Sequence, residues 1–277
     1  MSTGLFGKRR LRRILGEDGR SLIVTMDQSL YTNVFPAIAD PTSVIAAMAH
    51  AGADAFLTTF GMLQAFPESF QSSGVLVRLD GGPTEIPGGP GRFDLLYSVE
   101  QALALGADGV AVMFFPGFRY EDVTARNVAT VAADCARWKV PLLVEVLPGG
   151  FEHPELHTPT NIRLAARIAA ELGADLIKAP YTGDVQSFRE VTQNCYCPIV
   201  LLGGHIRPDA TEREPLERVK AGLEAGAVGI AIGPHIWTHA NPPGMVKAFL
   251  KVIHENASVD EALEVINPTR QQRDVTA

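Results

Sequence analysis

The chain has 277 residues, 46% of them hydrophobic and 20% charged, with a formal net charge of −7. Such a length suits one α/β barrel of about 250 residues, and the composition is that of a globular protein with a sizeable core. The acidic balance, with no basic stripe to neutralise phosphates, argues against nucleic acid as a partner, and no apolar run approaches the roughly 18 residues of a membrane span.

In chain order, the first feature is a basic cluster from Lys8 to Arg13, spaced as a short amphipathic helix. It lacks the apolar stretch and cleavage site of a secretory signal. Strand-like apolar runs follow at Ser21–Asp27, Ala55–Gly61, Val75–Gly81, Gly109–Phe115, Pro141–Pro148, Leu176–Tyr181, Pro198–Gly204 and Gly229–Pro234. Each is near-continuously apolar, as strands covered on both faces are. Helical patterns lie between them at Pro41–Gly52, Leu95–Gly106, Tyr120–Lys139, Pro159–Gly173 and Pro215–Gly226. Several end in Gly-Ala just before the next strand, the glycine supplying a left-handed residue past the last turn. A last helix is expected over Ser258–Ile266, with Ser258 as cap and Glu261 three residues on, and a polar tail follows. Eight β–α units in strict alternation predict a single (β/α)8 TIM barrel over residues 1–277. An open doubly wound sheet would want a glycine-rich phosphate turn after the first strand, and Asp27-Gln28-Ser29-Leu30 is not one.

The three cysteines, Cys135, Cys195 and Cys197, are odd in number and show no CxxC spacing. They predict free thiols and cytoplasmic residence rather than a disulfide framework or a zinc site. His153 and His157 have metal-ligand spacing, but Pro154 argues against a helix there, so neither a metal nor another cofactor is expected.

Barrel active sites sit at the C-terminal ends of the strands. The reactive side chains placed there are Asp27 on the first strand, Arg78 and Asp80 on the third, Glu145 on the fifth and Lys178 on the sixth. A lysine inside an apolar strand is almost never buried without a task or a partner. Desolvation of an amine favours its uncharged form, the nucleophile that attacks a ketone or aldehyde. The alternative is a structural lysine paired with a barrel carboxylate. Glu145 on the neighbouring strand is that carboxylate, or the group that moves protons during imine chemistry, and the two roles are compatible. Asp27 would take a proton from a substrate hydroxyl or orient the lysine. Gly203, Gly204 and Gly233 lie where barrels hold a phosphate on backbone N–H groups. His205 and His235 follow those loops as further substrate-binding candidates.

The run Gly173-Ala174-Asp175-Leu176-Ile177-Lys178-Ala179-Pro180-Tyr181-Thr182-Gly183-Asp184 resembles the segment around the Schiff-base lysine of the archaeal-type class I fructose-bisphosphate aldolases. That family includes the aminodideoxyheptulosonate synthases and the autoinducer-2 thiolase LsrF. Pro198–Gly204 and Gly226–Gly233 are also similar, and the likeness spans roughly residues 10 to 266. The resemblance implies that Lys178 forms the imine, that Asp27 is the first-strand acid, and that Gly203, Gly204 and Gly233 are phosphate-loop positions. It also implies a pentamer-based homo-oligomer. Three segments depart from the family. Its Tyr-Pro-Arg-Gly, which carries the acid/base tyrosine, is here Leu147-Pro148-Gly149-Gly150. Its Gly-Arg-Asn is Gly233-Pro234-His235, and its Asp-His-Gly turn is Asp27-Gln28-Ser29. Arg78 and Asp80-Gly81-Gly82 look closer to the LsrF branch, and Glu145, one layer below Leu147, is the expected replacement for the tyrosine.

Three functions compete at this stage. The first is a lyase acting on a ketose or ketose phosphate with at most a single phosphate, rather than on fructose bisphosphate. The second is an LsrF-like or heptulosonate-synthase-like acyl or ketol transferase. The third is a non-catalytic, metabolite-binding barrel.

Overall fold

The computed structural model describes residues 8–31, 34–82, 84, 86, 91–204 and 210–266. The eight apolar runs form eight parallel strands: β1 (Ser21–Thr25), β2 (Ala55–Thr58), β3 (Gly74–Arg78), β4 (Gly109–Phe114), β5 (Leu142–Val146), β6 (Leu176–Ala179), β7 (Ile199–Leu202) and β8 (Gly229–Ile232). Each pairs with the next, and β8 pairs back onto β1 with Ser21 opposite Gly229, so the sheet closes into a barrel without edges. The strands are short and buried on both faces because alternate residues point to the barrel axis and to the outer helices. Outward residues such as Val24, Phe56 and Val144 join the helix-facing core, whereas Ile23, Leu57, Leu76, Leu143, Leu176 and Val200 fill the barrel interior.

The N-terminal end of that interior is plugged. A 3-10 turn over Arg9–Arg13 carries Leu11, and Ile14 and Leu15 follow it; all three are buried in the inward layer. Ser21 Oγ donates to the carbonyl of Ile14 at 2.6 Å, and Lys8 Nζ pairs with Asp175 at 2.6 Å, so the segment is fixed at two points. Full burial of three such aliphatic side chains contributes about 1.5–3 kcal/mol each before ordering costs.

The outer layer is built from α1 (Pro41–His50), α2 (Phe60–Ala65), α3 (Val99–Ala104), α4 (Glu121–Trp138), α5 (Pro159–Glu171), α6 (Val185–Gln193), α7 (Arg213–Glu224), α8 (Pro234–Trp237), α9 (Pro242–His254) and α10 (Val259–Glu264). Side-chain caps start many of them: Asp40 accepts from Thr42 N, Thr158 from Asn161 N and Asp184 from Ser187 N. Ser258 and Glu261 form the expected capping box at α10. Helix α3 starts later than the apolar pattern from Leu95 suggests. Ser98 and Gln101 make a capping box that fixes the first turn, and Leu95 instead pairs with Asp80 in a two-residue antiparallel ribbon. Asp80 therefore lies just past β3, in that ribbon. No helix among the described residues is long and apolar enough to cross a membrane.

Candidate active site

Strand parity decides what faces the axis above the apolar floor. Inward residues two positions beyond Leu76, Ala111, Leu143 and Leu176 are Arg78, Met113, Glu145 and Lys178. Register places Met113 beside Glu145 and Glu145 beside Lys178, so a carboxylate and an amine on neighbouring strands share one layer. Both are about 2% exposed.

Glu145 is held at both ends. Its Oε1 lies 2.9 Å from Lys178 Nζ, and its Oε2 accepts from Arg78 Nη2 at 2.6 Å. Arg78 is fully buried and is the hub of the layer. Its Nε donates to Asp27 Oδ2 at 2.5 Å and its Nη1 to Asp80 Oδ1 at 3.3 Å. Asp80 Oδ2 also accepts from Met113 N at 2.6 Å. Two cations and three carboxylates thus occupy one desolvated layer, an arrangement stable only because every charge is paired. Arg78 and Asp80, read from the sequence as substrate-binding, are located inside this network: each guanidinium nitrogen already faces a carboxylate, leaving the arginine badly placed for a phosphate.

The electrostatics follow from burial and pairing. Burial pushes the Asp80 carboxyl above the usual aspartate range, with Arg78 and the Met113 N–H pulling the other way. Burial acts on Glu145 in the same upward direction. There Lys178 and Arg78 together outweigh it, and the carboxyl settles below its ordinary value. Burial also disfavours a charged Arg78, but Asp27 and Glu145 overcome it and hold the guanidinium protonated. Asp27 itself, expected either to take a proton from a substrate hydroxyl or to orient the lysine, is linked to Lys178 through Arg78 and Glu145. Its second oxygen, Oδ1, is buried with no hydrogen-bond partner among the described residues. An unpaired buried acceptor is expensive and marks a place where a donor belongs.

The glycines occupy the opposite rim. A side chain at Gly233 would fall on the carbonyl oxygen of Thr25 and come within 2.9 Å of Trp237 Nε1, so close approach of β8 to β1 requires glycine there. Gly204 has φ +77°, a conformation that favours glycine. Gly233 also caps the short α8, which contains His235, half-buried behind Pro234. His205 lies outside the described residues. Sequence reading missed Arg218, on α7. Its Nη1 donates to the carbonyl of Gly203, which brings a cation to the β7 turn. No motif marks it, because it comes from a helix rather than from a strand end.

A second missed feature is an aromatic cluster at the mouth. Tyr31, Phe93, Phe115 and Leu147 are buried together with Met113, with Leu30, Phe118 and Leu202 packed against them. Tyr31 lies over the Arg78 guanidinium, 5.9 Å from ring to carbon. Burial, reinforced by the Asp27 carboxylate, keeps its phenol well above the ordinary tyrosine value and hence protonated.

The model of the DeoC/LacD family of aldolases matches residues 21–239. An uncharacterized aldolase of Saccharolobus solfataricus is 32% identical, covering 91% of this chain and 96% of its own length. The 2-amino-3,7-dideoxy-D-threo-hept-6-ulosonate synthase of Halobacterium salinarum is also 32% identical, over 92% of this chain and 94% of its own. Among solved structures, a Schiff-base-forming fructose-1,6-bisphosphate aldolase superposes with a TM-score of 0.81 at 29% identity, covering 89% of this chain and 99% of that one.

Proposed function

This chain belongs to the DeoC/LacD aldolase family, and on that premise we propose that Lys178 forms a Schiff base with a ketose or ketose phosphate and so makes or breaks a carbon–carbon bond. The observation that carries the reading is the buried Lys178–Glu145 pair, whose second carboxylate oxygen is fixed by Arg78. The lysine amine attacks the carbonyl carbon, and the carbinolamine loses water to give an iminium. The iminium draws the electron pair of the adjacent carbon–carbon bond, so cleavage leaves an enamine and releases an aldehyde. Reprotonation and hydrolysis then free the second product and the amine.

Glu145, ionised and 2.9 Å from Nζ, is positioned to carry protons to and from the nitrogen and the departing water. Asp27 Oδ1, buried and without a hydrogen-bond partner among the described residues, fits a hydroxyl of the substrate whose proton is removed as the bond breaks. Arg78 and Asp80 position these two carboxylates rather than touch substrate. Gly203, Gly204, Gly233 and His235 suit a single phosphate, with Arg218 adding one positive charge at the β7 turn; His205 belongs to the same proposal by sequence. Two arginines of the related aldolases are replaced here by Gly149 and Pro234, which favours a monophosphate or an uncharged ketose over a bisphosphate. Similarity to the heptulosonate synthase supports a second reading, an acyl or ketol transfer through the same lysine. We further read the protein as a cytoplasmic homo-oligomer, on its three free thiols and on the family resemblance.

The test is intact mass spectrometry after borohydride reduction with a panel of ketoses and ketose phosphates, wild type against Lys178→Ala. A lysine-dependent adduct is expected. A substrate that is turned over yet leaves no adduct refutes the Schiff-base reading, and release of free aldehyde without an acceptor separates lyase from transferase.

A further inference from the structure

The basic run near the start of the chain has no part in the chemistry proposed for Lys178. It lies at the closed end of the barrel. A 3-10 helix repeats every three residues, so Lys8, Leu11 and Ile14 share one side of the Arg9–Arg13 turn, while Arg9 with Arg12 and Arg10 with Arg13 form two rows on the other sides. Leu11 and Ile14 plug the barrel, and the four arginines are exposed. With Lys139 they line a cavity of about 560 Å³. Lys139 ends α4, where a left-handed residue (φ 55°) turns the chain back and its N–H donates to the carbonyl of Cys135.

Carboxylates at this end of the barrel have other tasks. Asp108 Oδ2 accepts from Val75 N at 3.0 Å, and Asp175 Oδ2 accepts from Leu142 N at 2.8 Å as well as from Lys8 at 2.6 Å. Asp108 Oδ1 lies 3.5 Å from Arg13 Nε. Among the described residues, Arg9, Arg10, Arg12 and Lys139 have no carboxylate partner. Like charges gathered in this way repel, and they do so on a chain whose formal net charge is −7. The plug does not need them: Leu11, Ile14 and Leu15 supply its burial, and Lys8 and Ser21 its anchors. Unneutralised cations around one concavity attract an anion into it.

The kind of anion follows from guanidinium geometry and from the extent of the cluster. Planar guanidinium forks match phosphate oxygens two at a time. The volume lies within the roughly 300–1,000 Å³ of small-molecule sites. A nucleic acid or an anionic membrane would extend past the cluster, over a chain whose remaining charge is strongly negative. The plug and the inward residues Leu143 and Leu176, one step below Glu145 and Lys178, separate this cavity from the lysine. Its ligand is therefore an effector rather than a substrate.

We propose that the cavity binds a compact oligophosphate chain, free or carried by a nucleoside, which bridges the plug to the end of α4. The inference is independent of the chemistry at Lys178.

The test is calorimetric titration of the full chain with tripolyphosphate, ATP and orthophosphate. Tripolyphosphate and ATP are expected to bind one site, at least about tenfold more tightly than orthophosphate, and to raise the melting temperature. Tighter binding of ATP than of tripolyphosphate would assign the nucleoside-borne chain, and equal binding the bare one. Arg9→Gln/Arg12→Gln and, separately, Lys139→Gln remove exposed charges without carboxylate partners, so both variants should melt within about 1 °C of wild type without ligand. The double variant should weaken tripolyphosphate binding about tenfold and Lys139→Gln severalfold. Binding no tighter than that of orthophosphate, or an affinity untouched by both variants, overturns the proposal. So does variant-sensitive binding to single-stranded DNA or phosphatidylglycerol vesicles but not to tripolyphosphate. A change of sedimentation coefficient in the variants, with no tripolyphosphate binding to wild type, would make the cluster an interface between copies and equally overturn it.

Discussion

Replacing Glu145 by glutamine changes the centre of the buried network while keeping its shape. The wild-type layer holds two cations, Arg78 and Lys178, against three carboxylates, Asp27, Asp80 and Glu145. In Glu145→Gln the charges balance in number but not in place, since both remaining carboxylates contact Arg78 and neither contacts Lys178. Removing one partner of a buried ion pair costs about 3–5 kcal/mol. The amide oxygen still accepts a hydrogen bond and recovers about 1 kcal/mol. The expected loss of unfolding free energy is therefore about 2–4 kcal/mol, read as a lower urea midpoint at unchanged slope. Turnover should fall about 100-fold or more, the usual contribution of a positioned acid–base group. Borohydride trapping of the adduct should survive at reduced rate, because the nucleophile is intact. Turnover within a few-fold of wild type would reduce Glu145 to a counter-ion, and an unchanged urea midpoint would contradict the energetic account of the layer.

Two further perturbations probe the scaffold. His254 on α9 bonds Asp54 at 3.0 Å and Asp18 at 2.9 Å, and these carboxylates, Asp54 foremost, raise its pKa from 6.5 to about 9 against the pull of burial. Because the folded value is the higher one, its stabilisation is complete below pH 6.5 and disappears as pH rises through about 9. The imidazole is a quarter exposed, so after screening the contribution is about 1–2 kcal/mol. Urea unfolding of wild type and His254→Asn should converge by that amount between these pH values, and a constant gap would refute the assignment. Gly233→Ala places a methyl on the Thr25 carbonyl at the β8–β1 seam and should cost about 3 kcal/mol or more, about 5 °C in Tm. Gly106→Ala, at φ +88° with open space around it, should cost only about 1 kcal/mol. Equal melting of the two variants would show that crowding at the seam is not what demands glycine.

What the sequence made legible was whatever repeats or stands out locally. Eight apolar runs separated by Gly-Ala helix ends specify the barrel, because both-face burial leaves a continuous hydrophobic signature. Lys178 and Glu145 are visible as charges inside such runs, and the two-residue period places them on the axis. The role of Arg78 was hidden because its partners Asp27 and Glu145 lie 51 and 67 residues away. Asp80 seemed part of β3 since nothing local announces a ribbon with Leu95. The aromatic cluster at the mouth gathers Tyr31, Phe93, Phe115, Phe118 and Leu147 from beyond four different strands, and no period connects them. Arg218 likewise acts across the sequence gap from α7 to the end of β7.

The plug formed by Leu11, Ile14 and Leu15 turns the barrel into a cul-de-sac. Reactants, products and the water that hydrolyses an imine all share one doorway, the aromatic and glycine rim. Under the imine chemistry proposed for Lys178, the tethered half occupies the deep end, so its partner arrives second over it and leaves first. Depth in the barrel then sets the order of the traffic.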